Sequence, residues 1–312
     1  MKRNPAFGIV FLLLIVLVLL EACKSTYPVK EMKTNAKQVP AEELERGEKL
    51  VGLACSPCHY DQATEKLTGT HLTDIPKILG KVYASNLTQH PDNAITKYSD
   101  GELKYLLRTG IMKNGKMSPF MQKPNLADED IDAIIAFLRS DDDMVQPVPQ
   151  SLPKTRYTGI GKIALKTLKP MPYIEKEIAA PKVTDKVAYG KYLIDIIGCY
   201  DCHSANFMKL DKMNPENTKG YMGGGSKMRS ADGEKIVARN LTFHETGLAG
   251  WTEKDLSKAL RQGIDNENRV IRYPMRIFSD LDDNDIEAIY LYLKSLPQIN
   301  NPGANPKSKK KG

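Results

Sequence analysis

Two stretches of this chain carry the same five-residue pattern, Cys55-Ser56-Pro57-Cys58-His59 and Cys199-Tyr200-Asp201-Cys202-His203. Two thiols at this spacing could form a redox dithiol, or could join other ligands around zinc. Neither chemistry needs a histidine directly after the second cysteine, and both copies have one. That residue points instead to covalent attachment of haem c. Two sulfurs reach two vinyl carbons on one edge of the ring, while the adjacent imidazole turns under its face as proximal iron ligand. Two haem c groups are therefore predicted, bonded at Cys55 and Cys58 and at Cys199 and Cys202, with His59 and His203 on the irons.

The sixth iron ligand in such sites is usually Met or a second His from later in the sequence. Tyr273-Pro274-Met275 follows the second motif, and Pro119-Phe120-Met121 holds the matching interval after the first. Met275 and Met121 are the expected ligands, with Met117 as rival in the first half; for each the alternative is a gap-filling core residue. His90 and His244 each lie four residues after the Asn of an Asn-Leu-Thr triplet and read as polar loop residues, the sharper alternative being a distal ligand. His71 has no counterpart and reads as structural. Arg108 and Arg261 match each other and suit either a haem propionate or a solvated helix end. Gly223-Gly224-Gly225 lacks the Lys-Ser/Thr of a phosphate loop, leaving a close backbone approach to haem or a plain turn.

The elements that must position these residues come as a duplicate. Gly47-Glu48-Lys49-Leu50 precedes Cys55 as Gly190-Lys191-Tyr192-Leu193 precedes Cys199, with one residue more in the second spacing. Asn86-Leu87-Thr88 recurs as Asn240-Leu241-Thr242, and Tyr98-Ser99-Asp100 as Trp251-Thr252-Glu253. Ile131, Ile134, Ile135 and Leu138, like Ile286, Ile289, Tyr290 and Leu293, fall at helical spacing. Asp128 and Asp283 are N-cap candidates for these last helices; for the middle ones Ser99 with Glu102 predicts a capping box, and Thr252 with Asp255 a near relative of one. Gly110 and Gly263 sit where those helices should stop. The expectation is an all-α chain of two tandem haem-binding domains, 41–140 and 183–298, each able to bury its own core. A Pro-rich linker at 141–182 joins them, semi-extended, with a short helix near 159–168 disfavoured by Gly159 and Gly161.

Residues 1–22 read as a lipoprotein-type signal peptide: a basic start, then an apolar run from Phe7 to Leu20 that is short for a membrane span. Cys23 follows Ala22 as a candidate lipidation site, the alternative being an ordinary signal with a free thiol. With Cys23 lipidated, all four remaining cysteines lie in the two motifs, which leaves none for a disulfide framework. Residues 23–40 then read as a tether and 299–312 as a solvated basic tail. The net charge of +7 is concentrated in linker and tails, while both folded segments are neutral or acidic. That distribution argues against a nucleic-acid partner.

Together these motifs resemble the cytochrome c subunits of periplasmic dehydrogenases of the alcohol, aldehyde and gluconate type, and related lipid-anchored dihaem cytochromes. The resemblance rests on Cys-x-x-Cys-His, Asn-Leu-Thr, the aromatic-Ser/Thr-acidic helix starts, Arg108 and Arg261 near helix ends, and a Tyr-Pro-Met or Pro-Met ligand loop, matched best by Tyr273-Pro274-Met275. It spans 42–140 and 184–297, and the first half departs from it at Tyr98, where Trp is typical, and in a shortened ligand loop. It implies electron transfer by two haem c groups with His/Met ligation, and redox partners such as a dehydrogenase, an oxidase or a small cytochrome. It also implies a lipid-anchored location on the periplasmic side of a Gram-negative bacterial membrane. The alternative is a dihaem enzyme of peroxidase or thiosulfate dehydrogenase type with one open haem, against which stands the lack of an acid–base constellation beside either motif.

Overall fold

The computed structural model describes residues 26–230 and 233–304. Residues 1–22, read above as a signal peptide, Cys23 and the end of the basic tail lie outside the described residues. In chain order, α1 (Ala41–Ala54) leads into a single turn, α2 (Ser56–His59), and after a long loop come α3 (Asp100–Thr109) and α4 (Asp128–Leu138). The linker contributes α5 (Gly159–Thr167). The second half repeats the first as α6 (Lys186–Ile197), α7 (Cys199–His203), α8 (Glu253–Gln262) and α9 (Asp283–Ser295).

Helices dominate, as the apolar spacing requires, yet with the 3-10 turns included they make up 39% of the described residues. The all-α expectation is coarse in one respect: two small antiparallel ribbons are present, β1 (Gly80–Lys81) with β2 (Arg156–Tyr157), and β3 (Lys227–Arg229) with β4 (Lys235–Val237). Strands this short carry no alternation that a sequence could display. Among the described residues, no helix is long and apolar enough to cross a membrane.

The capping boxes of α3 and α8 form as expected, and Gly110 and Gly263 close those helices with φ of 80° and 68°. The last helices differ from expectation. Asp282, one residue earlier than predicted, caps α9 in a box with Asp285. Asp128 is the first residue of α4 and not its cap, because its carboxylate is taken by Lys104 at 2.7 Å, by Arg108 at 3.2 Å and by the Ile178 N–H. The Ala127 N–H at that helix start donates instead to the Tyr192 hydroxyl of the other half, at 2.9 Å.

In each half the first helix crosses the last at a glycine. A Cβ on Gly47 would lie 2.3 Å from Ala133 O, and one on Gly190 would lie 2.0 Å from Ala288 O. The crossings bring the two halves together through matched buried carboxylates, Asp130 and Asp285, both fully buried. Asp130 holds Arg46 of its own half and the Tyr192 hydroxyl of the other. Asp285 holds the Tyr189 hydroxyl of its own half at 3.0 Å and Lys49 of the other at 2.6 Å. Arg46 and Tyr189 stand one residue before the crossing glycine; Lys49 and Tyr192 stand two after it. Each carboxylate thus has one partner from its own half and one from across. Burial first, and then the Asp130 carboxylate, push the Tyr192 hydroxyl far above the usual tyrosine range, so it stays a donor. Most buried apolar side chains of both halves form one contiguous cluster, with two small ones beside it.

The linker wraps the first half more closely than a semi-extended spacer would. Val148 O accepts from Asn86, Thr88 and Asn93, β2 pairs with β1, and Met171 N–H donates to Thr109 O. Helix α5 forms despite its glycines, because Thr158 caps it and Gly161 lies against Leu79 O, where a Cβ would stand 1.9 Å away. The tether is a strap: Tyr27 N–H bonds Gly115 O, and Thr34 donates to the buried Asp132 at 2.6 Å.

Removing either cross-half carboxylate leaves buried donors unpaired. Asp130→Ala and Asp285→Ala are each expected to cost about 2–4 kcal/mol, below the loss for a fully enclosed pair because Arg46 and Lys49 keep some contact with water. Urea unfolding followed by far-ultraviolet circular dichroism measures this, and a midpoint unchanged in either variant would contradict the assigned roles.

Candidate functional site

Each five-residue motif forms a short helical turn that places its histidine at the end. Cys55 closes α1 by donating to Val51 O, and the His59 N–H returns to Cys55 O at 2.9 Å. In the second half Gly198 turns left-handed (φ 82°) between α6 and α7, which absorbs the extra residue in that spacing. Each imidazole then makes one hydrogen bond: His59 Nδ1 to Ser85 O at 2.7 Å, and His203 Nδ1 to Arg239 O at 2.8 Å. A carbonyl only accepts, so Nδ1 carries the proton and Nε2 keeps the lone pair that a metal needs. Burial pushes both imidazoles below the usual histidine range and keeps them neutral.

The Asn-Leu-Thr triplets explain how those carbonyls are held. Ser85 and Arg239 each directly precede the Asn. Asn86 Oδ1 accepts the Thr88 N–H at 2.8 Å, and Asn240 Oδ1 accepts the Thr242 N–H at 2.9 Å. Their amide groups donate outward, to Val148 O and to Ile299 O, in the segments that follow α4 and α9. Behind each histidine a glycine N–H bonds its backbone carbonyl, Gly69 to His59 O and Gly224 to His203 O, both at 2.7 Å. Gly224 packs backbone to backbone: a Cβ there would lie 2.5 Å from the Arg239 carbonyl carbon. The triple glycine therefore serves a close approach of chain to chain.

The methionine loops are framed alike. After α3, Ile111 bridges to Met117, and after α8, Ile264 bridges to Val270. Met117 thus occupies the position of a valine in the second half, which leaves Met121 as the counterpart of Met275. Each of these two closes a turn, Met121 N–H onto Ser118 O and Met275 N–H onto Arg272 O, and each is half-buried against the apolar core. The loops then rejoin their middle helices through Lys123 N–H to Leu107 O and Phe278 N–H to Leu260 O. Arg108 and Arg261 are both engaged within the protein. Arg108 is buried and donates to Pro124 O and Leu126 O, while Arg261 donates to Leu281 O at 2.6 Å, so both tie the ligand loop to the last helix.

His90 and His244 are turn residues: their Nδ1 atoms accept from the N–H two residues on, in Asp92 and Thr246. His71 stacks on Tyr83, with ring centres 4.7 Å apart.

Sequence reasoning missed the contacts by which each half grips the other's ligand loop. Lys212 donates to Pro119 O, at the start of the Met121 turn, at 2.7 Å, and Lys123 donates to Ile196 O, just before the second motif. In return Thr73, after the first motif, donates to the Tyr273 hydroxyl beside Met275 at 3.1 Å, and Asp74 pairs with Arg276 at 3.9 Å. The charges of Asp74 and Arg276 act on both the Cys58 and the Cys202 thiols. Only a difference between the repeats, lysine at 123 and 212 without counterparts, could have hinted at this.

The donors suit covalent haem. All four thiols are free, and burial pushes them up, Cys55 and Cys202 to about 11 and Cys199 to about 12, so none is the thiolate a dithiol exchanger needs. Among the described residues no three His, Cys, Asp or Glu side chains converge into a metal-ion cluster. Neutral imidazoles with Nδ1 occupied and a thioether in each ligand loop complete a set that haem c uses.

Residues 44–141 match the family model for cytochrome c. The chain thus carries a cytochrome c domain, and that family takes haem c. Three relatives extend the likeness over both halves. The cytochrome c subunit of an alcohol dehydrogenase (quinone) from Gluconobacter oxydans is 28% identical over 85% of this chain and 57% of that protein. The gluconate 2-dehydrogenase cytochrome c subunit of Pantoea cypripedii is 26% identical over 81% and 59%. The fructose dehydrogenase cytochrome subunit of Gluconobacter japonicus is 27% identical over 85% and 56%. The chain spans a little over half the length of each.

In this cytochrome c domain the framing of the loop predicts the ligand. Met121→Ala is expected to remove the first half's share of the near-infrared methionine-to-iron band, while Met117→Ala leaves the band intact. A ferric spectrum unaltered by Met121→Ala would reassign the ligand.

Proposed function

We propose that the chain is a dihaem electron carrier, with haem c at Cys55 and Cys58 and at Cys199 and Cys202, and with His59/Met121 and His203/Met275 as axial pairs. The observation that carries this reading is the matched pair of imidazole locks: each motif histidine is held through Nδ1 by the carbonyl that precedes an Asn-Leu-Thr turn. Such a bond sets the tautomer, fixes the ring and raises its basicity as a ligand. Haem c, when bound, supplies a one-electron iron couple, and a thioether ligand favours the higher potentials suited to accepting electrons.

The polypeptide's part is positioning. Arg108 and Arg261 tie each methionine loop to the last helix, and the Lys212–Pro119 and Thr73–Tyr273 contacts brace each loop from the other half. Loops braced on both sides move little when the charge at the site changes, which suits electron transfer more than substrate turnover. The tandem domains are taken as 41–140 and 183–298, with 141–182 between them. We further read Cys23 as lipidated after removal of residues 1–22, holding the carrier at the periplasmic face of a Gram-negative membrane. There it would take electrons from a dehydrogenase or quinol-oxidising donor and pass them to a terminal acceptor. The dehydrogenase names of the relatives support that choice of donor.

Haem quantification on the purified holoprotein should give two haems per chain, falling to one when Cys199 and Cys202 are both replaced by Ala. Both haems should be low-spin in the ferric state. One haem in the parent chain, or a high-spin haem that binds cyanide, would overturn the dihaem carrier reading.

A further inference from the structure

The face of the first half along which the linker runs carries exposed aliphatic side chains among basic ones. Ile78, Ile160 and Ile163 are exposed there, at 60%, 55% and 66%. They belong to one patch, because the linker is stitched along residues 78–83. Thr155 and Tyr83 exchange hydrogen bonds, β2 pairs with β1, and Thr158 meets Ile78 O and Leu79 O. Ile160 and Ile163 stand three apart on α5 and so share a side of that helix. Around them lie the exposed Lys77, Lys81, Lys154, Arg156 and Lys162. No Asp or Glu occurs between residues 75 and 91 or between 144 and 174.

We propose that this patch rests on an anionic lipid surface, with the three isoleucines at the headgroup boundary and the cations around them on lipid phosphates. Exposed aliphatic side chains ringed by lysine are the composition of an interfacial helix. A protein partner fits less well, since protein interfaces favour aromatic residues and arginine and are depleted in lysine. The path of the chain supports the same occupant. Tyr173, shortly after α5, packs with Tyr27 and Val29 of the strap in one small apolar cluster, and Lys30 stands over its ring at 4.7 Å. The strap that leads toward Cys23 therefore meets the linker at Tyr173, in the segment that follows α5. A lipid at Cys23 is one membrane signal; a basic-apolar patch nearby is the second that stable, oriented binding calls for.

The inference rests on the membrane-anchored reading above, and the test separates the two. Full-length holoprotein is mixed with phosphatidylcholine vesicles, with or without phosphatidylglycerol, and hydrogen exchange is followed by mass spectrometry. The expected result is several-fold slower exchange in peptides covering 77–83 and 154–169 on phosphatidylglycerol vesicles. The slowing should be reversed by high salt and lost in Lys162→Glu and in Ile163→Ser, with haem spectra unchanged. Equal exchange on both vesicle types, while the protein still floats with them, would overturn the patch and leave the anchor standing. Failure to float with pure phosphatidylcholine, with protection kept on phosphatidylglycerol, would remove the anchor and leave the patch. Protection by polyglutamate but not by vesicles would assign the surface to an acidic protein and overturn the proposal.

Discussion

The hydrogen bond from a buried imidazole to one backbone carbonyl organises most of what surrounds it. For His59 Nδ1 to reach Ser85 O, and His203 Nδ1 to reach Arg239 O, a loop far along the chain must return to the motif and stay there. The Asn-Leu-Thr turn holds that loop, through an Asn side chain that spans its own turn and the segment after the last helix. The glycine on the histidine's backbone carbonyl holds the motif from the other side. A chain of polar contacts thus runs from the ring nitrogen to the far end of each half. Because these groups are largely out of water, each must be satisfied, and that requirement explains their recurrence in both halves.

A second constraint joins the halves. Asp130 and Asp285 are equivalent in the repeat and fully buried, and neither draws all its partners from its own half. Each draws a partner across the joint, Tyr192 or Lys49, so each carboxylate has its full set of partners only while the halves are packed together. The repeats have diverged in a complementary way: where one half supplies the cation to its own carboxylate, the other supplies a phenol. The joint is thereby specific to this order of halves. It also brings each methionine loop against the other half's motif region, through Lys212, Lys123, Thr73 and Asp74.

Much of this was legible in the residues. The paired motifs, the duplication, the two capping boxes and the C-terminal glycines of the middle helices are local patterns, and local patterns survive folding because they are satisfied within a few residues. The expected N-caps of the last helices failed for the opposite reason. Asp128 is spent on Lys104 and Arg108 from another helix, and the helix end it left is served by a tyrosine from the other half. The linker helix was disfavoured on the intrinsic cost of Gly159 and Gly161, yet Gly161 is what lets α5 lie on Leu79 O, and that contact is invisible in composition.

The sequence by itself determined the chemistry: which thiols and imidazoles stand together, and that they do so twice, since five adjacent residues need no tertiary partner to be recognised. Tertiary structure decided what lies between distant segments. It matched Met121 rather than Met117 to Met275 by pairing Met117 with the place of Val270. It turned Arg108 and Arg261 from candidate ligand contacts into ties for the ligand loops, and it made a loose-looking linker into a wrapped face. In each case the deciding partner is tens of residues away, and only the requirement to bury apolar area while satisfying every enclosed polar group selects it.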